Sequence, residues 1–437
     1  MQRVGQLGQS NNRKTGGAST FSVATVYAMS GATFAIGNLL LARTLPTAQY
    51  GQFALLVALL NLSHRVAPLG LDGMVNRHPI DLSPSLLGRL YIAAVPVTAL
   101  VVLGARLGYG LGNRELIYLG VGILAGATAY LGSALLQAQH RFVPSAVVNH
   151  ATNFTVLLAG LLSLVLLFSD PAPPFAIVIS GSAIAAPLVL TRLWRPPRER
   201  RPAVPIRWKE SLAYAGFVAG ALAMQQLDRL VIPRLLSFEA LASFSVLAML
   251  VIAPFHVLQL AVEHTLLPRL RHASGPAERR ALLRKESLAL FGLGIPAGII
   301  AVLIVPPVAD ILLAGKYDLG RPLVLAAVVA GLLRVATGLA RTTAAALGTT
   351  AELTRLNLDA WLAVALGVAG AVVGSRFGLA GAIYGTSVGW LSLALVAMRI
   401  GARHVRQPGA NADSTDPAID SRPRDDSAVY PDERAPR

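Results

Sequence analysis

Stretches of about twenty apolar residues recur along the whole chain and limit its possible folds more than any other feature. A transmembrane helix needs ~20 predominantly apolar residues. We identify twelve such runs, at residues 21–42, 50–70, 87–105, 116–138, 146–168, 174–191, 211–233, 240–263, 287–314, 322–347, 354–374 and 380–400. With 54% hydrophobic and only 14% charged residues, the sequence predicts an all-α polytopic membrane protein with twelve transmembrane helices.

The twelve runs fall into two groups of six, separated by a strongly basic connector. We therefore expect an N-terminal six-helix lobe at residues 21–191 and a C-terminal six-helix lobe at 211–400, joined by the connector at 192–210. Residues 1–20 are polar, and residues 401–437 combine charged residues with Pro, Ser and Asn. Such segments have little to bury, so both are expected to be disordered. Residues 1–20 also lack the pattern of a signal peptide.

Basic residues are distributed unequally between the two sets of loops. With the N-terminus placed in the cytosol, 23 Lys and Arg lie on the cytosolic side before the distal tail, and seven lie outside. The positive-inside rule then puts both termini, the connector and a second basic loop at 269–286 in the cytosol. The net charge of +16 thus reflects topology and does not indicate a nucleic-acid partner.

Two short segments suggest that the halves are related. Residues 43–53 read RTLPTAQYGQF and residues 234–244 read RLLSFEALASF, an offset of 191 residues that spans six apolar runs. An even number of spans per half predicts parallel repeats, related by an axis along the membrane normal.

Several charged residues lie deep inside the predicted spans. They are Arg65, Arg229, Arg334, Arg341 and Asp228. A charge in contact with lipid is unfavourable, so each is expected to face a cavity or a partner. Adjacent helix residues point about 100° apart. Asp228 and Arg229 therefore cannot simply neutralise each other, and Asp228 needs a partner on another helix, a cation or a proton.

Neutral polar residues accompany these charges. They are Asn61, His64, Gln225 and Gln226. The three amides could hydrogen-bond a bound sugar or, equally, a neighbouring helix. His64 could titrate near neutral pH and take part in ion coupling, or it could fill an ordinary packing position.

The order of several motifs resembles that of a known family. LLLARTLPTAQYGQFALLVALLN followed by LGLDGMVNR resembles the first two helices of bacterial polysaccharide-biosynthesis flippases. QQLDRLVIPRLLSFEALASFSVLAMLV resembles the family's Asp-bearing seventh helix and the helix after it. LLPRLRH and ILLAGKYDLGRPLVLAA resemble its basic exit into the cytosol and its Gly-x-Tyr turn. The resemblance extends over residues 20–400.

This family belongs to a superfamily of multidrug and toxin extruders, lipid II flippases and O-antigen-type translocases. The resemblance implies two lobes around a V-shaped cavity with alternating access, in the bacterial inner membrane. It also implies an oligosaccharide on undecaprenyl pyrophosphate as the cargo, with a polysaccharide polymerase and glycosyltransferases as further partners. Lipid II flippases typically have two additional helices, so the O-antigen-type branch fits better.

The implied cargo carries two phosphates, which need cations in a wet cavity to pass the bilayer. Arg holds phosphate oxygens in bidentate fashion and stays charged. We expect Arg65 and Arg334, one in each lobe, to line a shared cavity and bind the pyrophosphate. Arg229 and Arg341 are further candidates, although Arg229 could neutralise an acid and Arg341 could reach the cytosolic interface. Asp228 is the candidate for coupling to H⁺ or Na⁺, with a structural Arg pair as the alternative.

Other functions fit the sequence less well. No cofactor is expected, because the chain contains no P-loop or other common catalytic motif, and the absence of Cys excludes disulfides and zinc thiolate sites. An ion-coupled multidrug antiporter of the same fold would favour acidic cavity residues. A membrane-embedded glycan polymerase or ligase would typically carry a sizeable outer loop, and the predicted outer loops are short.

Overall fold

The apolar runs become helices in the computed structural model, which describes residues 7–78, 80–194 and 208–406. The first half contains α1 (Leu7–Thr44), α2 (Thr47–Val66), α3 (Leu71–Arg77), α4 (Pro84–Tyr109), α5 (Asn113–Ala138), α6 (Phe142–Asn149), α7 (Ala151–Leu166) and α8 (Ala172–Leu193). The second half contains α9 (Trp208–Leu235), α10 (Phe238–Leu247), α11 (Ala253–His272), α12 (Pro276–Leu313), α13 (Arg321–Leu347), α14 (Thr350–Gly374) and α15 (Gly378–Arg406). No strand occurs in the described ranges.

Many of these helices could cross a membrane. Within the described residues, eight helical stretches are long and apolar enough, or ten when α2–α3 and α6–α7, bent by 47° and 46°, each count as one span. One of the eight, Ala351–Val405, contains both α14 and α15. α9 does not meet the same criterion, since Gln225, Gln226, Asp228 and Arg229 make it more polar. The number of twelve spans and the cytosolic location of both termini therefore stay predictions.

Two segments that the sequence predicts to be irregular are helical. The lead-in at residues 1–20 belongs to α1 from Leu7 onward, because an existing helix gains one hydrogen bond for each residue that extends it. The loop predicted at 269–286 shrinks to the turn between His272 and Pro276, since its Ala, Leu, Arg and Glu residues favour helix. Of the other predicted irregular segments, residues 1–6, 195–207 and 407–437 lie outside the described residues.

The packing of the first half recurs in the second. In the first lobe, α5 packs on α2 and α8, and α7 packs on α1 and α8. In the second lobe, α13 packs on α11 and α15, and α14 packs on α9 and α15. The helix boundaries repeat as well: α1 ends at Thr44 and α2 begins at Thr47, and α9 and α10 meet 191 residues later at Leu235 and Phe238.

Two glycines lie where the lobes touch. A Cβ on Gly51 would overlap the carbonyl oxygen of Phe238, so glycine is required for α2 to cross α10 this closely. Gly70 has a φ of 81° and lies against the backbone of Ser211 at the start of α9. The Ser211 hydroxyl donates a 2.6 Å hydrogen bond to the Leu69 carbonyl. Gly51, in the segment LLLARTLPTAQYGQFALLVALLN, and Gly70, in LGLDGMVNR, thus form contacts between the lobes.

A second pair of contacts joins the lobes on the predicted outer side. The Tyr109 hydroxyl, at the end of α4, donates to the Leu230 carbonyl of α9 at 2.8 Å. The Tyr317 hydroxyl, just after α12, donates to the Ala42 carbonyl of α1 at 3.0 Å. Lys316 donates to the same carbonyl at 3.1 Å, although burial lowers the pKa of its ammonium group. Each lobe therefore donates a tyrosine hydrogen bond to the C-terminal end of the other lobe's first helix, α9 or α1.

The second helix of the C-terminal lobe is interrupted. A π-helical turn at Ala248–Ile252 joins α10 to α11. Pro254 follows within the first turn of α11, where the missing N–H does little harm. A π turn contains one more residue than an α-helical turn and is frequently found at functional sites.

Candidate functional site

A buried ion pair lies at the centre of the C-terminal lobe. The Arg334 guanidinium of α13 donates from Nη2 to Oδ2 of Asp228 on α9 at 2.6 Å. The two side chains are 13% and 4% exposed. The Thr386 hydroxyl of α15 donates to the other carboxylate oxygen, Oδ1. Asp228 thus has its partner on another helix, and both of its oxygens accept hydrogen bonds.

The same arginine lies over an aromatic ring. The guanidinium carbon of Arg334 is 5.1 Å from the ring centroid of Trp390. Trp390 follows Thr386 by one helical turn, so both project from the same face of α15 toward α13 and α9. The Thr337 hydroxyl on α13 donates to the Trp390 carbonyl at 3.0 Å, which fixes the two helices at this height.

Two donors in this cluster lack acceptors. Nε of Arg334 and Nε1 of Trp390 are both buried, and neither has a hydrogen-bond partner within the described residues. An unsatisfied buried N–H is unfavourable by about 1–3 kcal/mol. Both N–H groups would suit oxygen atoms of an anion that enters beside the ring.

Arg229 lies one residue further along α9 and faces the lobe interface. Its Nη1 donates to Oε1 of Gln226, one turn earlier, at 3.0 Å. Arg229 also interacts electrostatically with Arg334 and with Tyr50, a buried tyrosine of α2. The Tyr50 hydroxyl has no partner within the described residues. Gln225, at the start of the same turn, is half-buried.

Arg341 lies two turns beyond Arg334 on α13 and interacts electrostatically with Glu263 of α11. Glu263 accepts a 2.9 Å hydrogen bond from the Gln259 amide, one turn earlier on α11. His256, another turn earlier, is close enough to interact electrostatically with Arg334. One face of α11 is therefore polar and meets the arginines of α13.

The N-terminal lobe contains a different cluster around Arg65. The Arg65 guanidinium carbon, on α2, is 5.9 Å from the ring centroid of Tyr130 on α5. Asp72, on α3, is buried and interacts electrostatically with both Tyr130 and Arg65. His64 places Nδ1 2.6 Å from the Leu60 carbonyl oxygen of its own helix, and its ring meets the edge of Tyr130 at 6.1 Å. His64 thus contacts its own helix and Tyr130, and its part in ion coupling stays a prediction.

A polar cavity of about 250 Å³ adjoins this cluster. Its wall includes Asp72, Tyr130, Asn76, Gln137 and Asn149, contributed by α3, α5 and α6. The side-chain oxygen of Asn149 is buried without a partner within the described residues. The N-terminal lobe thus offers neutral hydrogen-bonding groups and one carboxylate next to an arginine.

The structure brings some of the predicted site residues together and leaves others apart. Asp228 contacts Arg334, and Arg229 contacts Gln226. Arg65 lies in the other lobe, and among the described residues no hydrogen bond or ion pair joins it to Arg334. A cavity shared by these two arginines therefore stays a prediction, as do the sugar-binding roles of the amides. Asn61 is half-buried on α2, one turn before Arg65.

Four residues of these clusters were not identified from the sequence: Asp72, Tyr130, Thr386 and Trp390. Asp72 stands in the LGLDGMVNR motif but just beyond the predicted span, so it did not count as an intramembrane charge. Thr386 and Trp390 lie four residues apart in the last apolar run. A polar and an aromatic residue at this spacing share one helix face, which is the signal that could have identified them.

Comparisons with known proteins identify the fold. No family model and no curated protein sequence matches the chain. A lipid II flippase, MurJ, in an inward closed conformation is similar in structure, with a TM-score of 0.67 and 11% identity over 86% of each chain. An inward-facing multidrug resistance MATE family transporter of the MOP superfamily is also similar, with a TM-score of 0.55 and 11% identity over 87% of this chain and 94% of that one. At such identities the likeness concerns the fold, and the predicted all-α membrane fold with two lobes is confirmed.

Proposed function

We propose that this protein is a flippase that carries an oligosaccharide on undecaprenyl pyrophosphate from the cytosolic to the outer leaflet. The cargo would serve surface polysaccharide assembly, and the two lobes would open alternately to the two sides. The fold supports transport of this kind, since one protein with the same fold is a lipid II flippase.

The observation that carries the proposal is the surplus of cationic groups inside the predicted spans. Of the four intramembrane arginines, Arg334 has a carboxylate within ion-pair distance, whereas Arg65, Arg229 and Arg341 form no ion pair within the described residues. Buried N–H donors beside Trp390 also lack acceptors. Arginines in the membrane without a directly bound carboxylate suit an anionic cargo such as a pyrophosphate.

The ion pair suggests how cargo and ion would be linked. Phosphate oxygens that approach Arg334 would compete with Asp228 for the same N–H groups. The carboxylate released in this way would keep the Thr386 hydroxyl and gain H⁺ or Na⁺, because an unpaired carboxylate is unfavourable in a low-dielectric site. Binding of cargo and binding of the ion would then favour each other.

The proposal also accounts for the polar cavity of the N-terminal lobe. Asn76, Gln137 and Asn149 supply amide groups of the kind that bind sugar hydroxyls, and they lie on the same side of the lobe as Arg65 and Asp72. A sugar would fit there while the pyrophosphate contacts the arginine. A cationic drug, in contrast, would be repelled by the unpaired arginines.

Transport in proteoliposomes tests the proposal. Vesicles would contain a polyprenyl-pyrophosphate-linked sugar with a fluorescent group, and an impermeant quencher would report which leaflet holds it. The purified protein should accelerate exchange between leaflets. Arg65→Gln should slow this exchange about tenfold or more, while Arg114→Gln, a change at an exposed arginine at the start of α5, should not.

A second cargo separates this function from the alternative. Suppose that the labelled lipid exchanges no faster than in protein-free vesicles, while in the same preparation an imposed ion gradient drives the export of ethidium. The protein is then a multidrug antiporter. The flippase proposal would then be wrong.

A further inference from the structure

A groove in the C-terminal lobe lies apart from the charged clusters described above. It has a volume of about 760 Å³ and lies between α12, α13 and α15. Its wall is formed mainly by apolar or small side chains, among them Leu283, Phe291, Leu339, Met398 and Ala402. The hydroxyl of Thr343, also in the wall, donates to the Leu339 carbonyl of its own helix and is therefore satisfied. A groove of this character suits a hydrocarbon chain.

The groove crosses the predicted cytosolic boundary of the membrane. On α12 the wall runs from Arg280 to Phe291, a rise of roughly 16 Å at 1.5 Å per residue. The predicted span of this helix begins at residue 287, so Arg280 lies about two helical turns outside it and Phe291 lies inside it. A lipid with its phosphate at Arg280 would therefore extend its acyl chain along α12 into the membrane.

The predicted cytosolic end of the groove is cationic. Arg280 is exposed and lines the groove at this end. Its neighbour Arg279 is buried and donates weakly from Nη1 to the His404 carbonyl at 3.5 Å, next to the last turn of α15. Nε of Arg279 is buried and has no acceptor within the described residues. An oxygen-rich anion at the rim would meet the charge of Arg280, and Arg279 adds a second positive charge on the same turn of α12.

The groove depends on a feature specific to the second lobe. α12 has 38 residues, whereas α4, in the equivalent position of the first lobe, has 26. The additional length lies at the start of α12, where Arg279, Arg280, Leu283 and Ser287 occur. The sequence predicts a loop here, and the helix that replaces it forms one wall of the groove.

We propose that this groove binds an anionic phospholipid of the cytosolic leaflet, with one acyl chain along α12 and the phosphate at Arg280. The lipid is a bound component of the C-terminal lobe and is distinct from the transported cargo. The proposal is independent of the cargo, because none of the charged residues of the two clusters lines the groove.

Native mass spectrometry of the purified full-length protein tests the assignment. After delipidation, the protein is titrated with phosphatidylglycerol or phosphatidylcholine of identical acyl chains. We expect one phosphatidylglycerol to be retained about tenfold more strongly than phosphatidylcholine, since the choline cation of the second lipid cancels the headgroup charge and is repelled by Arg280. Arg280→Gln should remove this preference, and the matched control Arg284→Gln, at an exposed arginine outside the groove wall, should keep it.

A second variant tests the position of the acyl chain. Ala402 is exposed in the groove wall, so Ala402→Trp should fold normally while filling the groove, and it should release both lipids. The proposal is overturned if Arg280→Gln and Arg284→Gln retain the lipid equally, or if Ala402→Trp still holds it. Displacement of phosphatidylglycerol by stoichiometric undecaprenyl phosphate would also overturn it, because the groove would then belong to the cargo.

Discussion

The two lobes repeat one packing scheme but place their buried arginines on different helices. In the N-terminal lobe Arg65 lies on α2, which crosses the other lobe, and Tyr130 on α5 faces it. In the C-terminal lobe Arg334 lies on α13, the counterpart of α5, and Asp228 of α9 neutralises it at 2.6 Å. Both arginines thus lie over an aromatic ring, but only Arg334 is also held in an ion pair. Under the proposed function, Arg65 would capture an anion and Arg334 would exchange its carboxylate partner for the anion.

The largest expected difference between the lobes is in stability. Arg334→Gln leaves the Asp228 carboxylate buried without its cation, and such a change typically destabilises a protein by about 3–5 kcal/mol. The double variant Asp228→Asn/Arg334→Gln should recover most of this loss. Unfolding of the parent, the two single variants and the double variant in detergent, monitored by circular dichroism, measures the coupling energy of the pair. Equal stability of the single variant and the parent would show that the pair contributes nothing to folding.

Arg65→Gln should have the opposite profile. No carboxylate lies within ion-pair distance of Arg65 among the described residues, so its loss should change stability by less than about 1 kcal/mol. Binding of a polyprenyl pyrophosphate should weaken by about 1.5–3 kcal/mol, the contribution of a hydrogen bond to a charged group. Arg65→Lys should restore part of the affinity, since it keeps the charge without the planar fork. Undiminished affinity in the Gln variant would remove Arg65 from the site.

The two buried carboxylates should differ in ion coupling. A tenfold proton gradient supplies about 1.4 kcal/mol, which can sustain about a tenfold ratio of cargo between the two leaflets. Asp228→Asn keeps one oxygen acceptor for Arg334 and turns its amide N–H toward the Thr386 hydroxyl, which can accept it, so the variant should fold and bind cargo. Its transport should no longer respond to an imposed H⁺ or Na⁺ gradient. Asp72→Asn should respond as the parent does. A preserved response in Asp228→Asn would make the carboxylate structural.

The smallest effects are expected at the outer contacts. Tyr109→Phe removes the hydrogen bond that joins its hydroxyl to α9, whereas Tyr317→Phe leaves Lys316 on the same α1 carbonyl. One such bond contributes about 1 kcal/mol, or roughly a fivefold change in an equilibrium. In this Cys-free chain, maleimide labelling of a cysteine at Ala42 should therefore accelerate about fivefold in Tyr109→Phe and less in Tyr317→Phe. Faster labelling in Tyr317→Phe than in Tyr109→Phe would show that the Tyr317 contact is the stronger of the two.

The sequence predicted the helical class and the repeat because both depend on local patterns. Apolar runs long enough to span a membrane are visible along the chain, and the 191-residue offset between two motifs recurs in the helix boundaries. The sequence failed at 269–286, where charged residues that favour helix resemble a solvated loop. Charge alone does not distinguish an exposed helix from a loop.

The sequence predicted which residues belong to the site but not which of them contact each other. Asp228 and Arg334 were identified because charges inside apolar runs are conspicuous, but their contact joins residues 106 positions apart on two different helices. Such a contact depends on how each helix is rotated in the bundle, which the sequence pattern leaves open. Thr386 and Trp390 carry no charge and fit within an apolar run. Hydropathy and charge therefore did not identify them as part of the cluster.

The π turn at Ala248–Ile252 determines how α11, which follows it, is rotated relative to α10. Because a π turn contains one additional residue, its return to α-helical geometry would turn α11 by about 100° and shift it by about 1.5 Å relative to α10. His256, Gln259 and Glu263 share one face of α11, so all three would leave the arginines of α13 in a single movement. A change of register in one short segment would therefore change which side chains of α11 line the C-terminal lobe.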